Sequence, residues 1–362
     1  HQAKALELSE ELRKTIEDFR FTWEGKNFTI GVSIGVVPID KMTESLHSVL
    51  SAADAACYLA KDSGRNRIHL YHEDDSKLAK HYGEMHWVNK INTALEKDQF
   101  VLYYQPISPI KNIHNLHSFI EILLKINIDD ALVPPGAFIP AAERYNLMPL
   151  VDKWVLKKTF HWLKKNARLV NQLDTCSINI SGASIDEPTF LSFIIDQLES
   201  GQVPINKICF EITETTAVSN LTQALHFIQE LKKRGCRFAL DDFGSGMSSF
   251  SYLKTLPVDF IKIDGNFVRN IADDNMARTM VDAISQVGRA MNIQTIAEYV
   301  ENQRTLIELQ GIGIDFVQGF GICKPQPLEH YGTDECLDHD LSLIHISEPT
   351  RPVGISRMPS SA

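Results

Sequence analysis

The sequence is poor in three features that each mark a class of protein. Its 36 Lys and Arg residues are outnumbered by 46 Asp and Glu, and the net charge of −10 argues against a nucleic-acid polymer as a partner. It has no apolar run long enough to span a bilayer, and it has no signal peptide. We therefore expect a cytoplasmic fragment that makes no membrane contact of its own.

The third scarce feature is paired cysteine. The six cysteines are scattered, and no two of them form a C-x-x-C pair. Several lie in strand-like apolar runs, which is typical of buried thiols in a reducing compartment rather than of disulfides. What remains is a chain of 362 residues, 44% of them hydrophobic, which is an ordinary globular composition with room for about two domains.

Both ends of the sequence look foreign to a complete natural chain. The first residue, His1, lies within a helical pattern, so we expect the native start, the sensory input and any membrane anchor of the parent to lie upstream. Residues 336–362 have no helical or strand period. Their segment SLIHISEPTR resembles the translated frame of a sequencing-library adaptor, so we expect this tail to be non-native and disordered.

Residues 1–72 have the pattern of an incomplete α/β domain. A helical segment, ALELSEELRKTIEDF, precedes a β-rich run, NFTIGVSIGVV, and a second helical segment, SLHSVLSAADAACYLAKDSG. One principal strand between two helices cannot bury a sheet, which indicates the back half of a domain. Residues 73–95 are polar and helical in pattern, and we expect a linker whose histidines are solvated rather than metal ligands.

From residue 96 to residue 335 the pattern becomes regular. Eight strand-like runs, most of them followed by a helix-like segment, are FVLYYQP, SFIEILL, CSINIS, ICFEIT, RFALDD, DFIKID, IQTIAE and DFVQGF. Apolar strands that alternate with helices predict an α/β fold, a TIM-like (β/α)8 barrel. Because SPIKNIHNLHS is too short for a crossover helix, the first two strands should form an antiparallel hairpin, with Gln105 opposite Glu121. An all-parallel barrel is the less favoured alternative.

A polar side chain stands at or near the end of almost every predicted strand. These residues are Gln105, Glu121, Asn179, Glu211, Asp241 with Asp242, Lys262, Glu298 and Gln318. Each one alone is best explained as a turn residue or a helix cap, and the DDFGSG segment is typical of an Asx-type turn. Barrel enzymes, however, place their chemistry on several strand ends at the C-terminal face, so the whole set predicts one convergent site.

The residue types in this set predict a site for hard divalent cations. Several carboxylates at one opening cannot all stay ionised without cationic partners, and Mg²⁺ and Mn²⁺ prefer carboxylate and amide oxygens. Two ions that share Asp241 would lie about 4 Å apart, the spacing that activates water in phosphoester cleavage. Lys262 would orient or deprotonate that water. A purely supporting salt bridge from Lys262 to Asp264 or Asp241 is an equally weighted alternative.

Residues 85–330 resemble the EAL phosphodiesterases of cyclic di-GMP. The matching motifs are YYQPI, EILLK, PPGAFIPAAE, SINIS, FEITET, DDFGSGMSSFSYLKTLPVDFIKID, AEYVEN and VQGFGICKP. The resemblance implies hydrolysis of cyclic di-GMP to linear pGpG, with two Mg²⁺ or Mn²⁺ ions as cofactors. It further implies that Glu121, Asn179, Glu211 and Asp241 hold one ion, and that Asp241, Asp242 and water hold the other.

The resemblance also implies roles beyond metal binding. Lys262 and Glu298 would position or activate the attacking water, so the catalytic set comprises Glu121, Lys262, Glu298 and Asp242. Residues 243–250 would form a mobile loop, anchored by Glu214, that links the metal site to a homodimer formed through the barrel. The residues implied to contact the substrate, or to lie just behind it, are Gln105, Lys125, Glu301 and Gln318.

Two residues depart from the pattern of the family it resembles. Ile122 stands where the family usually has Ala, and overpacking beside Glu121 would cost about 1–3 kcal/mol. Lys125 stands where the family usually has Arg, so the charge is kept but the bidentate grip on phosphate is lost. We expect an active enzyme with weakened substrate binding. The alternative is an EAL-like module that binds cyclic di-GMP or a protein without hydrolysis.

Residues 1–72 resemble the trailing part of a diguanylate cyclase (GGDEF) domain. The resemblance rests on FTIGVSIGVV and on AADAACYLAKDSGRNRI, in that order. The signature G-G-[DE]-E-F, which carries the metal and nucleotide chemistry, is absent. We therefore expect this part to be inactive as a cyclase.

Overall fold

The computed structural model describes residues 2–23, 26–39, 46–72, 76–201, 203–244 and 252–333. The chain divides into two compact units. One comprises residues 1–93 with 140–145, and the other comprises the remainder of the chain. The segments 243–250 and 336–362 of the sequence analysis lie wholly or mostly outside the described residues.

The first unit combines helices with short strands. Its longer helices are Gln2–Asp18, Leu46–Asp62 and most of Ser76–Glu96, and most of the short helix Ile139–Arg144 belongs to it as well. Arg20–Trp23 pairs with Lys26–Thr29 in an antiparallel ribbon. Ile34–Val36 pairs in parallel with Ile68–Leu70. The expectation of one principal strand is therefore wrong: NFTIGVSIGVV contributes to two strands, because each half of that run has a different partner.

The second unit is built on an eight-stranded barrel. Barrel strands 1 to 8, in chain order, are Phe100–Pro106, Phe119–Ile128, Thr175–Asn179, Ile208–Thr213, Arg237–Phe243, Phe260–Ile263, Gln294–Ala297 and Phe316–Val317. Each pairs with the next, antiparallel between strands 1 and 2 and parallel from strand 2 to strand 8. Strand 1 continues as Ser108–Pro109, which pairs antiparallel with strand 8 and closes the ring.

This topology confirms the prediction of a barrel with one antiparallel strand. Gln105 lies opposite Glu121 in the register of strands 1 and 2, as the short connection predicts. Two short strands extend the sheet: Ala131–Val133 pairs with strand 2, and Gln326–Pro327 pairs with strand 1. The all-parallel alternative is wrong, because the connection SPIKNIHNLHS reverses the chain without a helix.

Helices follow most of the barrel strands. The α-helices are Ile139–Arg144, Met148–Lys165, Ala167–Val170, Gly182–Asp186, Phe190–Glu199, Glu214–Ser219, Leu221–Lys232, Gly265–Val268, Asn275–Met291 and Gln303–Ile312. Single 3₁₀ turns span Pro135–Ala137, Ile205–Lys207, Tyr252–Lys254 and Leu328–His330. The helix with the most strongly amphipathic sequence, Asn275–Met291, begins after the capping side chain of Asp274 and ends at Asn292 in the left-handed conformation.

Two further expectations concern membranes and cysteines. Among the described residues, no helix combines the length and the apolar character that a bilayer span requires. Cys57, Cys176, Cys209 and Cys236 are free thiols, and burial raises the pKa of the last three. Cys323 is disulfide-bonded, so the expectation of thiols is wrong there. This residue lies in the irregular segment after strand 8 rather than inside a strand.

Candidate active site

The barrel interior is arranged in two layers along the strands. The lower layer is apolar and consists of Ile107, Phe119, Cys209, Ala239, Phe260, Ile296 and the partly buried Phe316. Side chains two residues apart on a strand point to the same face of the sheet. The residues two positions nearer the C-terminal face of the parallel strands, in the same ring order, are Gln105, Glu121, Glu211, Asp241, Lys262, Glu298 and Gln318. Strand 3 follows the same rule, with Asn179 two residues beyond buried Ser177.

We call these eight residues the polar layer. Their convergence follows from elementary strand geometry: a packed apolar plug fills the barrel, and the next inward-facing position of every strand lies at its mouth. The prediction that the strand-end side chains lie together is confirmed by the contacts below.

Lys262 lies at the centre of the polar layer. Its Nζ is 2.7 Å from Glu211 Oε2 and 2.8 Å from Glu298 Oε1. It is also 3.2 Å from Glu121 Oε2 and 3.3 Å from Asp241 Oδ1. The lysine side chain is only 1% exposed, so this charge has exchanged its water for four carboxylates.

The alternative reading of Lys262 as an ion-pair partner is therefore partly supported. Asp241 is one of its partners, but no ion pair between Lys262 and Asp264 occurs among the described residues. Asp264 instead accepts a hydrogen bond of 2.8 Å from the backbone N–H of Asn266, at the start of the helix Gly265–Val268.

Glu121 is held by three hydrogen-bond donors. Asn179 Nδ2 donates to its Oε1 at 2.7 Å, while Gln318 Nε2 and Lys262 Nζ donate to its Oε2 at 2.7 Å and 3.2 Å. Gln318 is in turn positioned by Gln105: its Nε2 lies 3.3 Å from Gln105 Oε1. The Gln105 amide donates at 2.9 Å to the carbonyl of Cys323. This chain of amides fixes the orientation of the Glu121 carboxylate.

The buried charges perturb one another strongly. Burial raises the pKa of Glu211 well above its usual value and that of Glu298 to about 8, because the attraction of Lys262 only partly offsets desolvation. Burial likewise raises the pKa of Asp241, and partial desolvation together with the neighbouring Asp241 carboxylate raises the pKa of the more exposed Asp242. The pKa of Glu121 is lowered instead. Burial alone would raise it, but the Lys262 charge and the hydrogen bonds from the amide donors outweigh the effect of burial.

The donor set suits a hard divalent cation. Asp241, Asp242 and Glu298 each offer a carboxylate oxygen within 4.8 Å of the other two. Among the described residues, the buried Glu211 Oε1 has no hydrogen-bond partner, and the buried Asp241 Oδ1 has only its 3.3 Å ion-pair contact with Lys262 Nζ, so each has a lone pair free for another ligand. Four carboxylates around one ammonium leave an excess of negative charge. These residues therefore fit the Mg²⁺ or Mn²⁺ ions that the resemblance implies.

A cavity of about 790 Å³ opens above the polar layer. Six of its lining residues were predicted as substrate, metal or catalytic positions and belong to the polar layer: Gln105, Glu121, Asp241, Lys262, Glu298 and Gln318. Asp242, Lys125 and Glu301 line it as well. The Lys125 ammonium lies 3.7 Å from the centroid of the Tyr103 ring, a cation–π contact at the cavity wall.

Sequence reasoning missed several residues of this cavity. Arg269, Tyr299, Phe320 and Lys324 line it, and none of them lies at a strand end. The signal that could have found Tyr299 and Phe320 is their position within one or two residues of Glu298 and Gln318, the last polar-layer residues. No comparable signal marks Arg269, which follows a short helix.

Ile122 does not crowd the site as the sequence suggests. It is buried, and its neighbours in register are Tyr104 and Ile178. Because successive residues of a strand point to opposite faces, Ile122 packs outside the barrel while Glu121 points into it. The expected overpacking beside Glu121 is therefore wrong.

Glu214 makes two contacts that bracket the segment 245–251. Its Oε2 accepts a hydrogen bond of 2.8 Å from the backbone N–H of Gly244, and its Oε1 accepts a short one from the Tyr252 hydroxyl. Glu214 is itself buried, at the start of the helix Glu214–Ser219. One carboxylate thus fixes both the last described residue before that segment and the first one after it.

Comparison with known proteins agrees with this geometry. The EAL domain family model matches residues 88–325, and the diguanylate cyclase GGDEF domain model matches residues 1–67. Cyclic di-GMP phosphodiesterase PdeB of Shewanella oneidensis is 41% identical over 307 residues, covering 84% of this chain and 36% of PdeB. Cyclic di-GMP phosphodiesterase PdeF of Escherichia coli is 31% identical over 336 residues, covering 91% of this chain and 43% of PdeF. The chain thus spans less than half the length of either relative.

A solved structure shows the same fold. The FimX EAL domain from Pseudomonas aeruginosa, bound to c-di-GMP, superposes with a TM-score of 0.62 at 27% identity. The match covers 68% of this chain and 98% of that domain. The family model covers well over half of the chain, and the barrel topology and the polar layer agree with it. The chain therefore belongs to the EAL domain family, and its residues 1–67 match the GGDEF domain model.

Proposed function

We propose that the barrel hydrolyses cyclic di-GMP to linear pGpG, with the help of two bound divalent cations. The observation that carries this proposal is the complete polar layer. Every carboxylate and amide that the sequence predicts as a metal ligand is present in or next to one cluster below a large cavity. The names of the relatives PdeB and PdeF support the choice of substrate.

Each residue of the proposed metal site is assigned to one or both of the two ions. Glu121, Asn179, Glu211 and Asp241 would hold one ion, and Asp241 with Asp242 would hold the other. When bound, Mg²⁺ or Mn²⁺ supplies a Lewis acid that makes water a nucleophile and stabilises the leaving oxygen. The amides of Gln318 and Asn179 keep the Glu121 carboxylate oriented toward the cluster.

Lys262 and Glu298 would position or activate the attacking water. Burial lowers the pKa of Lys262, but four neighbouring carboxylates outweigh it and raise the pKa well above its usual value, so the metal-free site holds an ammonium, which would position the water. The Glu298 carboxylate lies 2.8 Å from that ammonium and lines the cavity. It is therefore placed to accept a proton from a water molecule held by Lys262.

The remaining predicted residues would serve the substrate and the loop. Glu214 would hold the segment 243–250 in the position in which Asp242 faces the cavity. Those that line the cavity, and that we assign to substrate contact, are Gln105, Lys125, Glu301 and Gln318.

Product analysis tests the proposal. The purified chain is incubated with cyclic di-GMP and Mn²⁺ or Mg²⁺, and the nucleotides are separated by chromatography. We expect pGpG in the presence of metal, none in EDTA, and a loss of more than about 100-fold in Glu121→Gln, which keeps the side-chain volume but not the charge. Glu308→Gln, which removes an exposed ion pair with Arg278, is the control. Tight binding of cyclic di-GMP without formation of pGpG would overturn the proposed catalytic function and favour a role as a cyclic di-GMP receptor.

Three companion predictions await their own measurements. The boundaries 1–72, 73–95, 96–335 and 336–362 are testable by limited proteolysis. The homodimer through the barrel is testable by analytical ultracentrifugation. The proposed lack of cyclase activity is testable by incubation with GTP.

A further inference from the structure

Tyr299 has an unusual backbone conformation for an aromatic residue. It follows Glu298 directly, and its φ of 52° lies in the left-handed region, which bulky side chains rarely adopt. It is also 47% exposed, although its neighbour Val300 is fully buried. Residues held in such conformations cluster at functional sites, where the surrounding structure compensates for the strain.

The surrounding structure holds the Tyr299 ring from one side. A Cβ on Gly265 would lie 2.0 Å from Tyr299 Cδ2, so only glycine at position 265 leaves room for this ring. The Arg269 guanidinium lies 4.1 Å from the ring centroid. Residues 265 and 269 are four apart, and the N–H of Arg269 donates to the carbonyl of Gly265. Both contacts therefore come from the same side of one helical turn.

A second exposed aromatic residue stands beside this one. Phe320 is 60% exposed. Its segment is tied to that of Tyr299 by two backbone hydrogen bonds of 2.9 Å, from Val300 N–H to the Gln318 carbonyl and from Gly321 N–H to the Val300 carbonyl. Tyr299, Phe320 and Arg269 all line the 790 Å³ cavity that contains the polar layer. Exposed aromatic rings at the mouth of a charged cavity are suited to stacking on a planar ligand group.

We propose that Tyr299, braced by Gly265 and Arg269, is a specificity-determining residue that stacks on a purine base of the substrate. This inference rests on the proposed function, since it takes cyclic di-GMP as the ligand of the cavity. The Arg269 guanidinium, 4.1 Å from the ring centroid, holds the ring in place through a cation–π contact. Phe320 extends the same apolar rim.

The test compares two variants that separate the ring from the backbone conformation. Tyr299→Phe keeps the aromatic face and the bulky side chain. Tyr299→Asn removes the ring but suits the left-handed conformation, so the backbone has no reason to rearrange. Equilibrium dissociation constants are measured in EDTA for cyclic di-GMP and for cyclic di-UMP, whose smaller pyrimidines stack less. KM and kcat with cyclic di-GMP are measured in Mn²⁺.

We expect Tyr299→Asn to weaken cyclic di-GMP binding about tenfold, and to weaken cyclic di-UMP binding much less. Selectivity between the two ligands therefore falls, KM rises and kcat changes less than KM. Tyr299→Phe should retain the wild-type selectivity. If Tyr299 had a purely structural role, Tyr299→Asn would weaken the binding of both ligands equally, and that result would overturn the inference.

The inference and the proposed function fail in different ways. If the wild type produces pGpG but Tyr299→Asn binds cyclic di-GMP as tightly as the wild type, the stacking inference is wrong and the proposed hydrolysis is still supported. If the wild type binds cyclic di-GMP without cleaving it, the enzyme is wrong, and the dissociation constants still decide the role of Tyr299. If the wild type does not bind cyclic di-GMP, both are wrong.

Discussion

The Lys262 ammonium lies 2.7 Å from the Glu211 carboxylate, and both side chains are almost completely withdrawn from solvent. A buried pair of this kind is costly to break, because the partner that remains is an uncompensated charge. Here three more carboxylates depend on the same ammonium. Lys262 is thus the internal counterion of the site as well as a candidate for positioning water.

Replacing Lys262 should destabilise the metal-free protein. We expect Lys262→Met to lower the free energy of unfolding in EDTA by about 3 kcal/mol. In saturating Mn²⁺ most of this destabilisation should disappear. Urea unfolding measures both values. Lys232→Met is the control: its ammonium pairs with Asp259 at 2.7 Å but is 29% exposed, so its loss should cost about 1 kcal/mol or less. Equal penalties for the two variants would contradict this role.

The carboxylates predict how stability depends on pH. Burial raises the pKa of Glu298 to about 8, and those of Glu211, Asp241 and Asp242 are also raised, so the folded metal-free protein binds more protons than the unfolded chain. Their stabilisation is present below the unfolded pKa values, 3.8 for the aspartates and 4.5 for the glutamates, and is lost as the pH rises through the folded pKa values. Glu121 contributes in the opposite direction, because its folded pKa is lowered. Its contribution to stability is present above about pH 4.5 and is lost as the pH falls below that value.

The expected result is a fall in stability between pH 6 and pH 8.5 in EDTA, measured by the urea midpoint. Saturating Mn²⁺ should flatten or reverse the slope, since metal ligands bind in their deprotonated form. Glu298→Gln should reduce the slope in EDTA. A metal-free stability that rises over this range would show that the carboxylates are not protonated as described.

Lys125 provides a test of phosphate recognition. Its ammonium lies over Tyr103 at the cavity wall, and a guanidinium could keep that aromatic contact while adding a bidentate fork for a phosphate. We expect Lys125→Arg to lower KM for cyclic di-GMP about threefold or more, with kcat changed little. Lys111→Arg, at an exposed position outside the cavity, is the matched control. An unchanged KM would show that position 125 does not contact phosphate.

Glu214 should control the segment that follows Asp242. Glu214→Gln keeps the size of the side chain but weakens the acceptors for Gly244 N–H and the Tyr252 hydroxyl. We expect faster hydrogen exchange at Gly244 and a fall in kcat of about tenfold. Tyr252→Phe removes only one of the two contacts and should give a smaller change of the same sign. Normal exchange and normal kcat in both variants would refute the anchoring role.

The polar layer could be predicted from sequence because its cause is local. Phe119 and Glu121, or Phe260 and Lys262, are two residues apart on one strand, so an apolar position in the plug predicts the inward direction of its polar neighbour. The hairpin of strands 1 and 2 was predictable for a similar reason, since a connection too short for a helix forces the chain to reverse.

The features that the sequence did not reveal depend on contacts between distant segments. Tyr299 and Gly265 meet only because the loops after strands 6 and 7 are neighbours, and neither residue shows a periodic pattern. In the first unit, Ile34–Val36 pairs with Ile68–Leu70 across an intervening helix, so the run NFTIGVSIGVV alone could not show where its strands divide. The central position of Lys262 among four carboxylates likewise required the closed barrel.

The central claim is that the polar layer binds a pair of divalent cations, and anomalous diffraction from crystals grown with Mn²⁺ tests it most directly. We predict two anomalous peaks per chain, bounded by Glu121, Asn179, Glu211, Asp241 and Asp242, and their loss in Glu121→Gln. Crystals at saturating Mn²⁺ with no peak among these side chains, or with peaks only on the outer surface of the barrel, would contradict the account.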